Sequence, residues 1–99
     1  MGKSVRTPET DDLCDAILSL QTVDECYQFF EDVCTVNELT SLSQRFAVAK
    51  MLTEKKTYLE IAQETGASTA TISRVNRALL YGSDGYAMVL ERVAGHQKS

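Results

Sequence analysis

Apolar positions recur at helical spacing through most of the 99-residue chain. Leu13, Ile17 and Leu20 mark a first helix over about 9–20, opened by Pro8 and several acids of the kind a first turn favours. Cys26, Phe29, Phe30 and Val33 line one side of a second over 23–33, and Leu39, Leu42, Phe46, Ala49 and Leu52 mark a long third over 36–53. Between Thr57 and Leu80 the pattern divides into two short helices. Ile61 and Ala62 face inward in one, while Ile72, Val75 and Leu79 recur at i, i+3 and i+7 in the other. Beyond the break "YGSDG", Tyr86, Val89, Leu90 and Val93 share one side of a last helix, with Ser83 or Asp84 as its cap. No strand-like alternation persists, so the expected class is all-α with about six helices.

Polar punctuation fits that division. Thr22-x-x-Glu25, Thr35-x-x-Glu38 and Thr57-x-x-Glu60 each read as a capping box, in which a hydroxyl accepts from a first-turn N–H and a carboxylate reaches back. Gly66 sits in the tight turn Thr65-Gly66-Ala67 and supplies the positive φ that a sharp helix-to-helix turn demands. With the small Ala62 permitting a close helix crossing, these are the features of a helix-turn-helix over about 57–80. Phe29 and Phe30 are neighbours and point about 100° apart on a helix. Covering both takes packing from two directions, one of which a second chain can supply.

Length fits one small domain, and a chain of this size buries only about two-thirds of its unfolded surface, so a partner subunit would add stability. The expected organisation is a flexible arm over 1–8, a single helical domain over 9–94 and a flexible tail over 95–99. No apolar run approaches a membrane span and the start lacks a secretory core, which points to the cytoplasm. Cys14, Cys26 and Cys34 lack paired zinc-site spacing and are expected as buried reduced thiols. The single histidine, His96, lies in the tail, so no metal site, cofactor or enzymatic constellation is expected.

Charge changes the picture more than composition does. The net charge is −4, yet from Glu9 to Glu38 there are nine acidic residues and no Lys or Arg. From Arg45 to Arg77 six basic residues (Arg45, Lys50, Lys55, Lys56, Arg74, Arg77) face three glutamates (Glu54, Glu60, Glu64). Steering of a polyanion depends on the field within about one Debye length, roughly 8 Å in physiological salt, so the local excess outweighs the total.

The basic half also carries the candidate chemistry. Ser68 is a plausible cap for the second short helix, followed by Thr69, Ala70, Thr71 and Ser73, whose short side chains would let that helix enter a major groove about 12 Å wide. Hydroxyls and first-turn N–H groups suit phosphate, and a methyl group suits thymine. Arg77 follows within the same helix, and Lys55 and Lys56 precede the motif, where they can neutralise phosphates. The expected partners are double-stranded DNA and a second copy of the chain. The competing reading is a helical dimeric protein-interaction module without DNA binding, suggested by the acidic N-terminal third.

Residues from about 21 to 94 resemble the Trp repressor family. The likeness is strongest in "ETGASTATISR" (Glu64 to Arg74) and weaker in "LTSLSQRFAVAKML" (Leu39 to Leu52). The resemblance implies an interlocked all-helical homodimer with a DNA-reading motif on each side, and a role as a transcriptional repressor. It also implies an effector pocket, because the family holds tryptophan with a threonine and two arginines that match Thr35, Arg45 and Arg74 here. Two departures bear on that pocket: Val75 stands where the family has glycine, and Ala78 where it has serine. A β-branched side chain in the indole slot overpacks it, at about 1–3 kcal/mol, so tryptophan control is not expected and the identity of any effector stays open. Thr35 has a capping role that needs no ligand, and Arg45 and Arg74 can instead pair with acids or phosphate. On the DNA face, Tyr58 and Leu59 replace a glutamine and an arginine, which implies a different operator sequence.

Overall fold

Helices account for all the regular structure among the described residues, 4–97, of the computed structural model. In chain order they are α1 (Pro8–Leu18), α2 (Val23–Val33), α3 (Val36–Thr53), α4 (Tyr58–Thr65), α5 (Thr69–Tyr81) and α6 (Gly85–Gln97). The all-α class and the helix-turn-helix, formed by α4 and α5, are both present. Among the described residues no helix is long and apolar enough to cross a membrane. The ends of the predicted arm and tail, and the His96 side chain, lie outside the described residues.

The chain divides into two compact units, one up to Leu39 and one from Thr40 onward. In the first, α1 starts because Thr7 is extended and its side chain accepts from the Thr10 N–H at 3.1 Å, with Pro8 following in the first turn. It stops at Leu18, two residues before the expected end. The Ser19 hydroxyl donates to the Ala16 carbonyl at 2.6 Å, beside the Ser19 N–H, which donates to the same carbonyl at 3.1 Å. Thr22 caps α2 by accepting from the Glu25 N–H at 3.0 Å. The Glu25 carboxylate, however, takes the N–H of Gln21 at 2.9 Å instead of closing a box on Thr22. Thr35 and Glu38 do form the reciprocal pair at the start of α3, at 3.1 and 2.8 Å.

Neither α1 nor α2 contains a buried residue. Leu13 is 41% exposed and Val33 52%, although both belong to the apolar sides read from the sequence. Phe29 and Phe30 meet edge to face, centroids 5.6 Å apart and planes at 63°. The three cysteines are free, as expected, but none is buried: Cys14 is exposed and Cys26 and Cys34 are half-buried. With so little apolar packing in this unit, nothing is available to enclose them.

From Thr40 onward a core does form. Val48 and Ala49 of α3, Ile61 of α4, Ala67 of the turn, and Ile72 and Val75 of α5 are buried, with Met51, Leu52, Ala62, Leu79, Tyr86 and Leu90 packed around them. The expected stripe on α3 is shifted, since Val48 is fully buried while Leu42 remains exposed. The later turns of α3 face the α4–α5 pair, and that contact selects Val48 together with Ala49. Gly82 ends α5, where a Cβ would collide with the Ala78 carbonyl.

Candidate nucleic-acid interface

The segment that precedes α4 is set by its own polar groups. Thr57 Oγ1 accepts from the Glu60 N–H at 3.1 Å, and the Glu60 carboxylate accepts from the Thr57 N–H at 2.8 Å, completing the box read from the sequence. The Thr57 backbone bond, with the Thr57 hydroxyl and nearby Lys56, holds the Glu60 carboxyl below the ordinary carboxylate range. Lys56 Nζ lies 3.5 Å from Glu64 Oε2. Lys55 is exposed and has a left-handed backbone, with φ of 67°.

Between α4 and α5 the turn is fixed from several sides. Gly66 has φ 73° and ψ 5°, and its N–H donates to the Ala62 carbonyl at 2.9 Å. The Thr65 hydroxyl donates to the Ile61 carbonyl at 2.7 Å and accepts from the Ala67 N–H at 3.1 Å. Gln44 of α3 donates from its side-chain amide to the Thr65 carbonyl at 3.1 Å. Burial of Ala67 and Ile61 locks the apolar side of the same turn. Neither Gln44 nor the Thr65 hydroxyl is among the residues the sequence predicts for this turn. Thr65 carried a usable signal, a hydroxyl one residue before the turn glycine; Gln44 carried none, being 21 positions away.

At the start of α5 the Ser68 hydroxyl accepts from the Thr71 N–H and donates to the Thr71 hydroxyl, both at 3.1 Å. That fastens the first turn without covering it. Ser68, Thr69, Ala70, Arg74 and Arg77 are exposed, and Thr71 and Ser73 are half-buried, while Ile72 and Val75 fill the core from the opposite side. The helix therefore turns a small, hydroxyl-bearing edge outward over its first turn, and two guanidinium groups follow. Lys55, also exposed, and Lys56, half-buried, lie in the same unit.

The expected effector residues are differently disposed. Thr35 belongs to the unit that ends at Leu39, and its hydroxyl and N–H serve the α3 capping box. Arg45 is half-buried and Arg74 exposed. Val75 is only 1% exposed and forms part of the core. A cavity of about 460 Å³ is lined by Phe46, Ala78, Ser83, Gly85, Tyr86 and Val89, a set that includes neither arginine. Among the described residues no group of three or more His, Cys, Asp or Glu is arranged to hold a metal ion.

Comparisons with known proteins agree with this architecture. The family model for the Trp repressor protein matches residues 8–94. The chain is 58% identical over 89 residues to the protein YerC of Bacillus subtilis (strain 168), covering 90% of this chain and 86% of that one. It is similar to the crystal structure of a TrpR-like protein from Eubacterium eligens ATCC 27750, with TM-score 0.88 and 64% identity, over 91% of this chain and 93% of the other. A crystal structure of a candidate Trp repressor from Staphylococcus aureus also gives TM-score 0.88, at 58% identity, over 91% of this chain and 90% of that one.

Proposed function

Since the chain belongs to the Trp repressor family, we propose that it is a sequence-specific transcriptional regulator, a repressor, that binds double-stranded DNA as a homodimer in the cytoplasm. The observation that carries this reading is the outward edge of α5, where Thr69 and Ala70 stand exposed beside a first turn already satisfied by Ser68. Thr69 and Ala70 lie outside the buried core, and their small size suits insertion between the phosphate ridges of a major groove. Thr69, Ala70, Thr71 and Ser73 meet base edges, while Ser68, Arg77 and Lys55 meet phosphates and Lys56, in ion-pair contact with Glu64, adds less. No such role is needed from the acidic residues up to Leu39, so the overall negative charge is compatible with DNA binding.

Homodimerisation is supported by the first unit, whose amphipathic helices bury none of their residues within one chain. A two-fold dimer presents its reading helices to successive major grooves, so the operator is an inverted repeat with half-site centres about 34 Å apart. Tryptophan is not the effector in this reading. Val75 is fixed in the core and Ala78 offers no polar group, which leaves Arg45 and Arg74 free for phosphate or carboxylate contacts.

Titration of the full chain with duplexes selected from a random pool, against unselected duplexes at two salt concentrations, tests the proposal. Tight, salt-sensitive and sequence-dependent binding is expected, with affinity falling about 0.9 logarithmic units per tenfold salt for each phosphate neutralised. Equal and negligible affinity for every duplex refutes it.

A further inference from the structure

Lys55 occupies a backbone position that favours glycine. Helix α3 ends in a Schellman motif: the Lys56 N–H donates to the Met51 carbonyl and the Lys55 N–H to the Leu52 carbonyl, both at 3.1 Å. That motif needs its middle residue in the left-handed region, and Lys55 is there at φ 67°. For a residue with a Cβ this conformation is strained, and lysine lacks the short polar side chain that eases it for Asn or Asp. The only other described non-glycine residue with positive φ is Asp84, a type that tolerates it. Lys55 is thus a local contradiction between residue and backbone.

Nothing inside the fold resolves that contradiction. The Lys55 side chain is exposed, and among the described residues no hydrogen bond or ion pair engages it. Its neighbour Lys56 differs on both counts, being half-buried and in ion-pair contact with Glu64. Two adjacent lysines that look interchangeable in the sequence are therefore unequal. One ammonium lies in ion-pair contact with a carboxylate of the protein, and the other belongs to an exposed side chain on a hydrogen-bonded turn immediately before the capping box of α4.

We propose that Lys55 is the phosphate anchor of the DNA interface, retained in a left-handed conformation at a cost in fold stability, whereas Lys56 serves chiefly to hold Glu64. This rests on the DNA-binding reading and deepens it. A backbone pinned by two hydrogen bonds fixes the point from which the side chain leaves the fold, so less backbone entropy is lost when its ammonium meets a phosphate. Strained residues persist where surrounding structure over-determines them, and they concentrate at functional sites. The contact is to a phosphate rather than a base, so it is indifferent to sequence.

The proposal makes stability and binding move in opposite directions. In the full chain, Lys55→Gly is expected to raise the melting temperature by about 4 °C, since glycine adopts the left-handed region freely. The same substitution is expected to weaken selected and unselected duplexes alike. The loss is about fivefold per bound chain at physiological salt, with the salt slope reduced by about 0.9 per chain. Lys55→Arg keeps the charge and the strain and is expected to match the parent protein in both measurements. Lys56→Gln is expected to change the salt slope by less than half as much.

Wild-type affinity and salt slope in Lys55→Gly, or a lowered melting temperature, would overturn the proposal while leaving the DNA-binding reading intact. A loss of self-association in Lys55→Gly without loss of duplex affinity would overturn it too, by assigning the ammonium to the acidic segment of a second copy. Failure of the parent protein to bind any duplex removes both readings together.

Discussion

The two units of the chain use similar amphipathic helices to different ends. From Thr40 onward, α3, α4 and α5 supply a core in which Val48, Ala49, Ile61 and Ile72 are completely enclosed. Up to Leu39, α1 and α2 carry Leu13, Ile17, Phe29, Phe30 and Val33 and enclose none of them. Charge divides along the same line, since the first unit holds an unbroken acidic series and the second has a basic excess around its helix-turn-helix. A helix pattern specifies which face wants cover, but cover has to come from somewhere. In the second unit it comes from the same chain, and in the first, on the proposed reading, from another copy.

The largest test of that contrast is in the core. Ile61→Ala or Ile72→Ala is expected to cost about 2–5 kcal/mol, measured by denaturant unfolding, because a fully enclosed side chain leaves a cavity. A cost near zero would mean that the second unit has no core of its own. Next in size, Thr71→Glu is expected to reduce duplex affinity by about 2–3 kcal/mol through repulsion from phosphate. Its melting temperature should hold, since a glutamate three residues after Ser68 suits a capping box. An unfolded variant would assign Thr71 to the fold and not to the interface.

Phe30→Ala addresses the first unit. It is expected to weaken self-association by about 1–2 kcal/mol in sedimentation equilibrium, the share of a partly covered aromatic ring. An unaltered association constant would show that the apolar sides of α1 and α2 do not meet a second copy. Gly66→Ala is expected to destabilise by about 1 kcal/mol, from its left-handed φ alone, since a Cβ there meets no atom within 4 Å.

The smallest expected effect is a pH dependence at Glu60, whose carboxyl is held below the ordinary range chiefly by the Thr57 N–H. Stability from this bond is present above the ordinary carboxylate range and is lost as pH falls through the depressed value. Glu60→Gln should therefore show a slightly smaller fall in melting temperature from neutral pH into the acid range than the parent protein does. An identical fall would place the acid sensitivity elsewhere.

Local signals were legible to different degrees, and the reason lies in how far each interaction reaches. The boxes at Thr35 and Thr57, the Ser68 cap and the Gly66 turn involve residues within about four positions, so spacing alone discloses them. Glu25 went to Gln21 instead of Thr22, a choice between adjacent N–H groups that the sequence does not distinguish. The stripe through Leu42 and Phe46 misses Val48, because a single stripe presumes one partner face along the whole of α3. Lys55 and Lys56 read as an equivalent pair, since neither a Schellman turn nor an ion pair to Glu64 has a mark in residue spacing.

By itself the order of residues determined the helical class, the helix starts and the division at Gly66, because each follows from hydrogen bonds and periodicity within a turn or two. Only the folded arrangement decided which apolar faces are enclosed, that Gln44 braces the turn at Thr65, and which of two neighbouring lysines is spent on the protein. Those outcomes depend on groups brought together by chain reversal, and a one-dimensional pattern specifies the face a helix offers without specifying what will meet it.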